Sequence, residues 1–377
     1  MRLPSSLTPD KLKQVLALIP FVLDDHLSPH QLNIQTLNDM NLINLQSVPD
    51  VTAPLNLGSA QSSSVISSIN IPQLRQLFSD PVKFYQHTRF TVTEFTQLHS
   101  QLKERLRLTR RTKNSHSHQS KHMVRVKLTT AEQLFLWAMS INGTRIPDLE
   151  LIFAHLSYMT ISRYCDDVTD VINSCFAHYI KWRIPEERRA SYGRFSVHDK
   201  IIAVLDGTHC EIERPLPNEQ SFWYVHKHLH TTNYLVAVNP LGVIIFVSQP
   251  YPGSWNDRGC YNISRIATHP SQFVSDGELI LADGGFMGGY PLMVPLHKSI
   301  IDETKTTAER NEMLDHNIEL SENRILVEDS FSWLKHTARV LEQRFTRERH
   351  TQVQIFHAAC CWYNALRLLR IDYARSK

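Results

Sequence analysis

The sequence predicts an α/β fold in which a helical region precedes a core built on a sheet. Three observations predict it. Residues 128–183 carry apolar side chains at helical spacing. From 197 the apolar runs become short, β-branched and bounded by turn residues. Helical spacing returns after about residue 320. Acids punctuate the second half: Asp206 in VLDGTH and Asp283 in LILADGGF follow apolar runs, and Glu328 in RILVEDSFSWLKH lies inside the later helical pattern. A fourth acid, Asp257 in PGSWNDR, lies between them.

A chain of 377 residues predicts two or three domains with room for a large core. With 42% hydrophobic and 20% charged residues, most of it should be globular. The net charge of +3 gives no global field, so binding to a polyanion must come from local patches. None of the six cysteines has CxxC spacing, which argues against a zinc knuckle and for reduced core thiols in an intracellular protein. The apolar stretch at 15–23 is too short to span a bilayer and lacks a small-residue cleavage site, so it reads as a short buried helix broken at Pro20 and no membrane association is expected.

In chain order, residues 46–71, rich in Ser, Asn and Pro, read as a linker. Phe95, Leu98, Leu102 and Leu106 predict a helix over 91–108. A polar connector follows, whose Arg110, Arg111 and Lys113 suit phosphate contact, part of a nuclear-import signal or plain solvation, and whose His116, His118 and His122 lack a preset geometry for metal. Thr129 with Glu132, or Thr130 with Gln133, predicts a capping box for the next helix, and Asn142-Gly143 its end. Pro147 fits the first turn of a second helix. Thr160 fits the cap of a third, with the stripe Ile161, Tyr164, Val168, Val171, Cys175 and Tyr179. The three helices fit a helix-turn-helix with Arg163 facing a DNA groove, and equally an ordinary bundle. Strands follow at VHDKIIAVLDGTH, TTNYLVAVNP, VIIFVSQP and ELILADGGF, the second and third joined by a Pro240-Leu241-Gly242 turn. Two helices close the chain, one bearing Glu328 and one spanning VQIFHAACCWYNALRLLRI. This order fits a ribonuclease-H-like core.

Two strand-borne Asp and one helix-borne Glu are the hard oxygen donors that magnesium needs, and a pair of such ions can drive attack on a phosphodiester. Val327, Phe331, Leu334, Ala338, Leu341 and Phe345 predict the buried stripe of the Glu328 helix. Glu328 lies about 100° around from Val327, on a flank shared with Arg324, Ser332, Lys335 and Arg339. That flank suits a metal beside a DNA backbone, or a solvated face with helical ion pairs. An Asp before Gly is also a common turn former, and His209 suits either orienting an acid or contacting phosphate.

In DGTH, PGSWNDR, ADGGF followed by YPLMVP, and RILVEDSFSWLK, the chain resembles the PIF/Harbinger DDE transposases and the nucleases derived from them, in order over residues 90–370. The resemblance implies a ribonuclease-H-like fold with Asp206, Asp283 and Glu328 as catalytic and metal-binding acids; Asp257, which lies between them in the sequence, is an additional candidate ligand. It implies two Mg²⁺ or Mn²⁺ ions, cutting at transposon terminal repeats and joining to a short A/T-rich target. It also implies a nuclear protein that works with a Myb-like DNA-binding partner, and the need to hold two ends together implies a homo-oligomer. Arg163, Arg324, Lys335 and Arg339 are the expected DNA contacts. Gly284, Gly285 and Phe286 depart from the family's small residue, Gly and Tyr, keeping an aromatic and losing a hydroxyl. The expected organisation is an extension of unassigned role at 1–80, a helix-turn-helix-like domain at 81–190 and the DDE nuclease at 191–377. The alternative is a domesticated transposase that binds DNA or a partner without cutting.

Overall fold

The computed structural model describes residues 64–113, 128–153, 156–303 and 306–376. The apolar stretch at 15–23, most of the 46–71 linker, the connector histidines and the side chains of Arg110, Arg111 and Lys113 lie outside the described residues. The linker reading fails over its last residues. A helical turn forms at 64–67, and Val65, Ile69 and Ile71 are buried. The buried Glu132 carboxylate accepts the backbone N–H groups of Asn70 and Ile71 at 2.6 and 3.0 Å, which fixes this segment to the helical block.

That block begins with α1 (Pro72–Phe78), α2 (Pro81–Thr88) and α3 (Val92–Lys113). Phe95, Leu98, Leu102 and Leu106 of α3 are buried, as their spacing predicts. Next come α4 (Thr130–Ile141), α5 (Ile146–Ile152) and α6 (Tyr158–Phe176). The capping box of α4 is the Thr129–Glu132 alternative, Asn142 caps its end, and Pro147 lies in the first turn of α5. The cap position of α6 is Ser157 rather than Thr160: the backbone turns helical at Tyr158, and the Thr160 hydroxyl reaches back to that of Ser157 at 3.1 Å. α6 packs against α3, α4 and α5, so its body is the centre of a bundle, while Arg163 near its start is exposed.

The sheet contains β1 (Ile201–Glu211), β2 (Trp223–Tyr224), β3 (Leu229–Val238), β4 (Ile244–Val247), β5 (Tyr251–Pro252), β6 (Leu279–Leu281) and β7 (Leu292–Met293). β1 pairs antiparallel with β3, and β3 antiparallel with β4. On its other edge β1 pairs parallel with β6, and β6 parallel with β7. The path β4-β3-β1-β6-β7 is thus antiparallel on one side of β1 and parallel on the other, while β2 and β5 extend the Thr231 end of β3.

Three helices complete the core: α7 (Asp257–Asn262), α8 (Thr307–Thr337) and α9 (Arg349–Ser376). Val327, Phe331 and Leu334 of α8 are buried, and α8 packs on β1 and β3. The predicted stripe outruns the helix, which ends at Thr337. There the threonine hydroxyl donates to the Trp333 and Leu334 carbonyls and takes up part of the helix end. Ala338, Leu341 and Phe345 remain buried, the first two around a 3₁₀ turn at Arg339–Glu342 and the third in a bridge to Ile212.

α9 joins the two halves. Its Phe356 ring stacks on Tyr234 of β3 at 3.9 Å, and the buried Asn364 amide accepts from and donates to the backbone of Ile244 at 2.9 and 2.7 Å. Trp362, on the same helix, sits edge-on to Phe90 and Trp137 of the helical block, each at 5.2 Å. All six cysteines are free, and Cys360 and Cys361 are buried in α9. No helix among the described residues is long and apolar enough to cross a membrane.

Burial pushes His99 of α3 down to about 4, with Nε2 at 2.9 Å from the Thr130 hydroxyl. Its folded value lies below the ordinary 6.5, so the unfolded chain binds the extra proton first and stability falls as pH drops from 6.5 towards 4. The full effect is on the order of 3 kcal/mol. Urea unfolding of His99→Gln at a series of pH values should show a shallower acid loss than wild type; equal slopes would refute the assignment.

Candidate active site

Strand register sets two of the acids abreast. Val204 of β1 pairs with Leu281 of β6, and two residues further along each chain lie Asp206 and Asp283. Asp206 is inside β1, opposite Val236 of β3, so the strand continues past the acid instead of ending there. Asp283 follows β6 and caps a 3₁₀ turn at Gly284–Phe286. Glu328 projects from α8 towards the same point.

That point is the Arg324 guanidinium. Its Nη2 lies 3.7 Å from Asp206 Oδ2 and 3.7 Å from Glu328 Oε1, and its Nη1 lies 3.6 Å from Asp283 Oδ1. Arg324 is 13% exposed. Burial pushes Asp206 up to about 6, and nearby Asp257 and Asp283 push the same way; the Gly207 N–H, which donates to Asp206 Oδ1 at 2.8 Å, and Arg324 oppose them.

Asp257, the first residue of α7, completes the acidic group. Asn233 of β3 donates to its Oδ1 at 3.1 Å, and burial raises its carboxyl, helped by Asp283 and opposed by the Asn233 bond. A Cβ added at Gly207 would stand 2.5 Å from Asp257 Oδ1, and one at Gly285 would stand 3.8 Å from Oδ2. Gly207 is therefore required by close approach, not by a turn. The turn reading holds at Gly284 and Gly285.

His209 lies three residues beyond Asp206 on β1, stacked on Tyr224 at 3.9 Å, with Nδ1 2.9 Å from the Thr231 hydroxyl. Burial pushes it down to about 4, with Lys227, Lys335 and His226 adding to the effect. Lys335 is thus near His209, on the active-site side of α8. Arg339 sits exposed in the 3₁₀ turn and Arg163 exposed on α6, neither among the contacts of the acids. Asn233 and Tyr224 were not singled out in the sequence: Asn233 hides in the apolar run TTNYLVAV, and Tyr224 belongs to a two-residue strand.

The donor chemistry fits a divalent ion: carboxylates of Asp206, Asp283 and Glu328 converge on one cation, with Asp257 beside them. Two buried polar atoms here, Arg324 Nε and Asn233 Oδ1, have no hydrogen-bond partner. Among the described residues no three His, Cys, Asp or Glu side chains are drawn close enough to hold a metal as they stand. The acids are spread around a guanidinium instead.

Gly207→Ala should destabilise by about 1–3 kcal/mol in urea unfolding, because the new methyl meets Asp257. Gly284→Ala has nothing within 4 Å of its Cβ and should stay within about 0.5 kcal/mol of wild type. Equal effects at the two glycines would disprove the close-approach account.

No curated protein and no solved structure matches the chain. Residues 205–364, which contain all four acids and Arg324, match the family model described as DDE superfamily endonuclease, so this segment is similar to the transposase-like endonucleases of that superfamily.

Proposed function

We propose that the chain is a divalent-metal-dependent DNA endonuclease or transposase of the PIF/Harbinger type, cutting at transposon terminal repeats and joining the ends to a short A/T-rich target by a two-metal DDE mechanism. The convergence of Asp206, Asp283 and Glu328 on one cation carries this reading. The match of residues 205–364 to DDE superfamily endonucleases supports it. The strand path, antiparallel through β4, β3 and β1 and parallel through β6 and β7, supports a ribonuclease-H-like core.

Asp206, Asp283 and Glu328, with Asp257 as a further ligand, would hold two Mg²⁺ or Mn²⁺ ions, which supply an activated water and a stabilised leaving oxygen. The chain's own residues do the rest. Asn233 fixes the rotamer of Asp257. His209 is held by Thr231 and Tyr224 and stays neutral above about pH 4, so it acts as a hydrogen-bonding group and not as a charge. Lys335 and Lys227 near it supply positive charge for backbone phosphates, which position DNA without reading its sequence. Arg163 and Arg339 are exposed on other elements and suit more distant phosphates. The family resemblance supports nuclear localisation, a homo-oligomer and a Myb-like DNA-binding partner.

A domesticated protein that binds DNA without cutting is the second reading. Arg324 favours it, because the acids already share a counter-charge without metal.

Nicking of supercoiled plasmid in Mg²⁺ or Mn²⁺ separates the two. Wild type should nick, and Asp283→Asn, which keeps the shape but loses the charge, should be slower by roughly a hundredfold or more. Equal nicking by both proteins would refute the assignment of the site. Absence of nicking by wild type, with the partner and cognate ends supplied, would favour the domesticated reading.

A further inference from the structure

Arg324 is the cation on which the three acids converge. It lies on α8 one turn before Glu328, 13% exposed, with three carboxylate oxygens at 3.6–3.7 Å. All three separations exceed hydrogen-bond length. The attraction is therefore Coulombic, without the fork-to-fork geometry that locks an arginine to a carboxylate. Its Nε is buried and has no partner. A buried donor left unpaired costs free energy, so this seat does not satisfy the side chain. The opposite charges around it are what keep it there.

We propose that Arg324 is an internal counter-cation: it stands in for the divalent ions in the metal-free protein and must leave that seat for them to bind. The proposal rests on the divalent-metal reading of the site. Magnesium takes oxygen ligands at about 2.0–2.1 Å in an octahedron. The three carboxylates cannot close to that range while a guanidinium separates them, and two cations sharing the same oxygens repel. The displaced head has a second partner whenever DNA is bound, because a guanidinium matches a backbone phosphate. Metal and DNA then cooperate: a phosphate that holds Arg324 outside empties the seat, and a divalent ion that takes the seat releases Arg324 to the phosphate. Without DNA, apparent metal affinity is the intrinsic affinity multiplied by the fraction of molecules in which Arg324 is out.

Mn²⁺ binding to the full chain without DNA, followed by the electron paramagnetic resonance of free Mn²⁺, tests this in wild type, Arg324→Gln, Arg324→Lys and Arg367→Gln. Arg367 is the charge control: it influences Asp329, next to Glu328, but makes no contact with the three acids. Arg324→Gln should bind Mn²⁺ at least about tenfold tighter than wild type, as expected if the seat is filled by arginine more than about 90% of the time. Arg324→Lys, too short to span three acids, should fall between, and Arg367→Gln should resemble wild type. If all four bind Mn²⁺ and Arg324→Gln is no tighter than wild type, the counter-cation is overturned and the metal reading stands. If Arg367→Gln tightens as much as Arg324→Gln, the effect is general charge and the proposal is likewise overturned. If none binds Mn²⁺, the metal reading falls and takes the proposal with it. Should Arg324→Gln fail to fold without metal, an unchanged affinity in Arg324→Lys would be decisive against the proposal.

Discussion

Like charge gathered in one place is the constraint on which this structure turns. Asp206, Asp257, Asp283 and Glu328 are brought together by four different elements, and each would repel the others across a partly buried space. Against this stands one guanidinium. At 3.6–3.7 Å each Arg324–carboxylate contact has a gross attraction of roughly 4 kcal/mol at an effective dielectric of about 20. Desolvation reduces that, and solvent screening reduces it further at Asp283 and Glu328, which are 50% and 58% exposed. Asp206, the most enclosed of the three, still rises to about 6, chiefly because burial disfavours its charged form, with Asp257 and Asp283 adding to the rise. A fold that keeps acids in mutual repulsion has forgone stability at that spot, which is the usual mark of a site shaped for a ligand.

Holding such a site needs a stiff frame, and α9 provides it. One face locks β3 and β4 through Gln352, Phe356 and Asn364; the other sinks Trp362 into the helical block. The helical block and the sheet thereby share a hydrophobic core. α8 packs against α9, β1 and β3, so Arg324 and Glu328 are carried by a helix braced by α9 and two strands, while Asp206 is carried by the central strand. The backbone that carries Asp206 and Glu328 is thus braced before any ion or DNA arrives.

The acids were legible because each sits in its own local pattern: an apolar β-branched run for Asp206 and Asp283, a helical stripe for Glu328. Helix caps were legible where a box of two residues defines them, as at Thr129 and Glu132, and missed by three residues where a lone Thr160 competed with Ser157. What the sequence could not show depends on tertiary approach. Gly207 read as a turn residue, yet its lack of a side chain matters because Asp257, fifty positions along the chain, presses against it. Arg324 read as one more cation on a basic flank. Its spacing to Glu328 was visible, but its contacts with Asp206 and Asp283 exist only once β1, β6 and α8 are assembled. Asn233 was invisible for a different reason: a polar residue inside an apolar strand carries no periodic signal.

The location of the site follows from the sheet. β1 is the strand at which pairing changes from antiparallel, towards β3, to parallel, towards β6. Parallel neighbours run in the same direction, so the residues leaving β6 emerge beside β1 in matched register, whereas the antiparallel neighbour presents residues running the other way. That is why Asp283 comes abreast of Asp206, and why Asn233 of β3 reaches Asp257 from the opposite side. Ligands in open α/β sheets collect outside the carboxyl ends of parallel strands where the strand order reverses. Here Asp283 lies just past the carboxyl end of β6, but Asp206 lies within β1, which continues through His209 to Glu211. The five residues after Asp206 stay in the sheet because β3 pairs with all of them. They carry His209, which stacks on Tyr224; nearby Asp257 adds to the rise that burial gives the Tyr224 hydroxyl, so this ring pair lies towards the Asp257 side of the site.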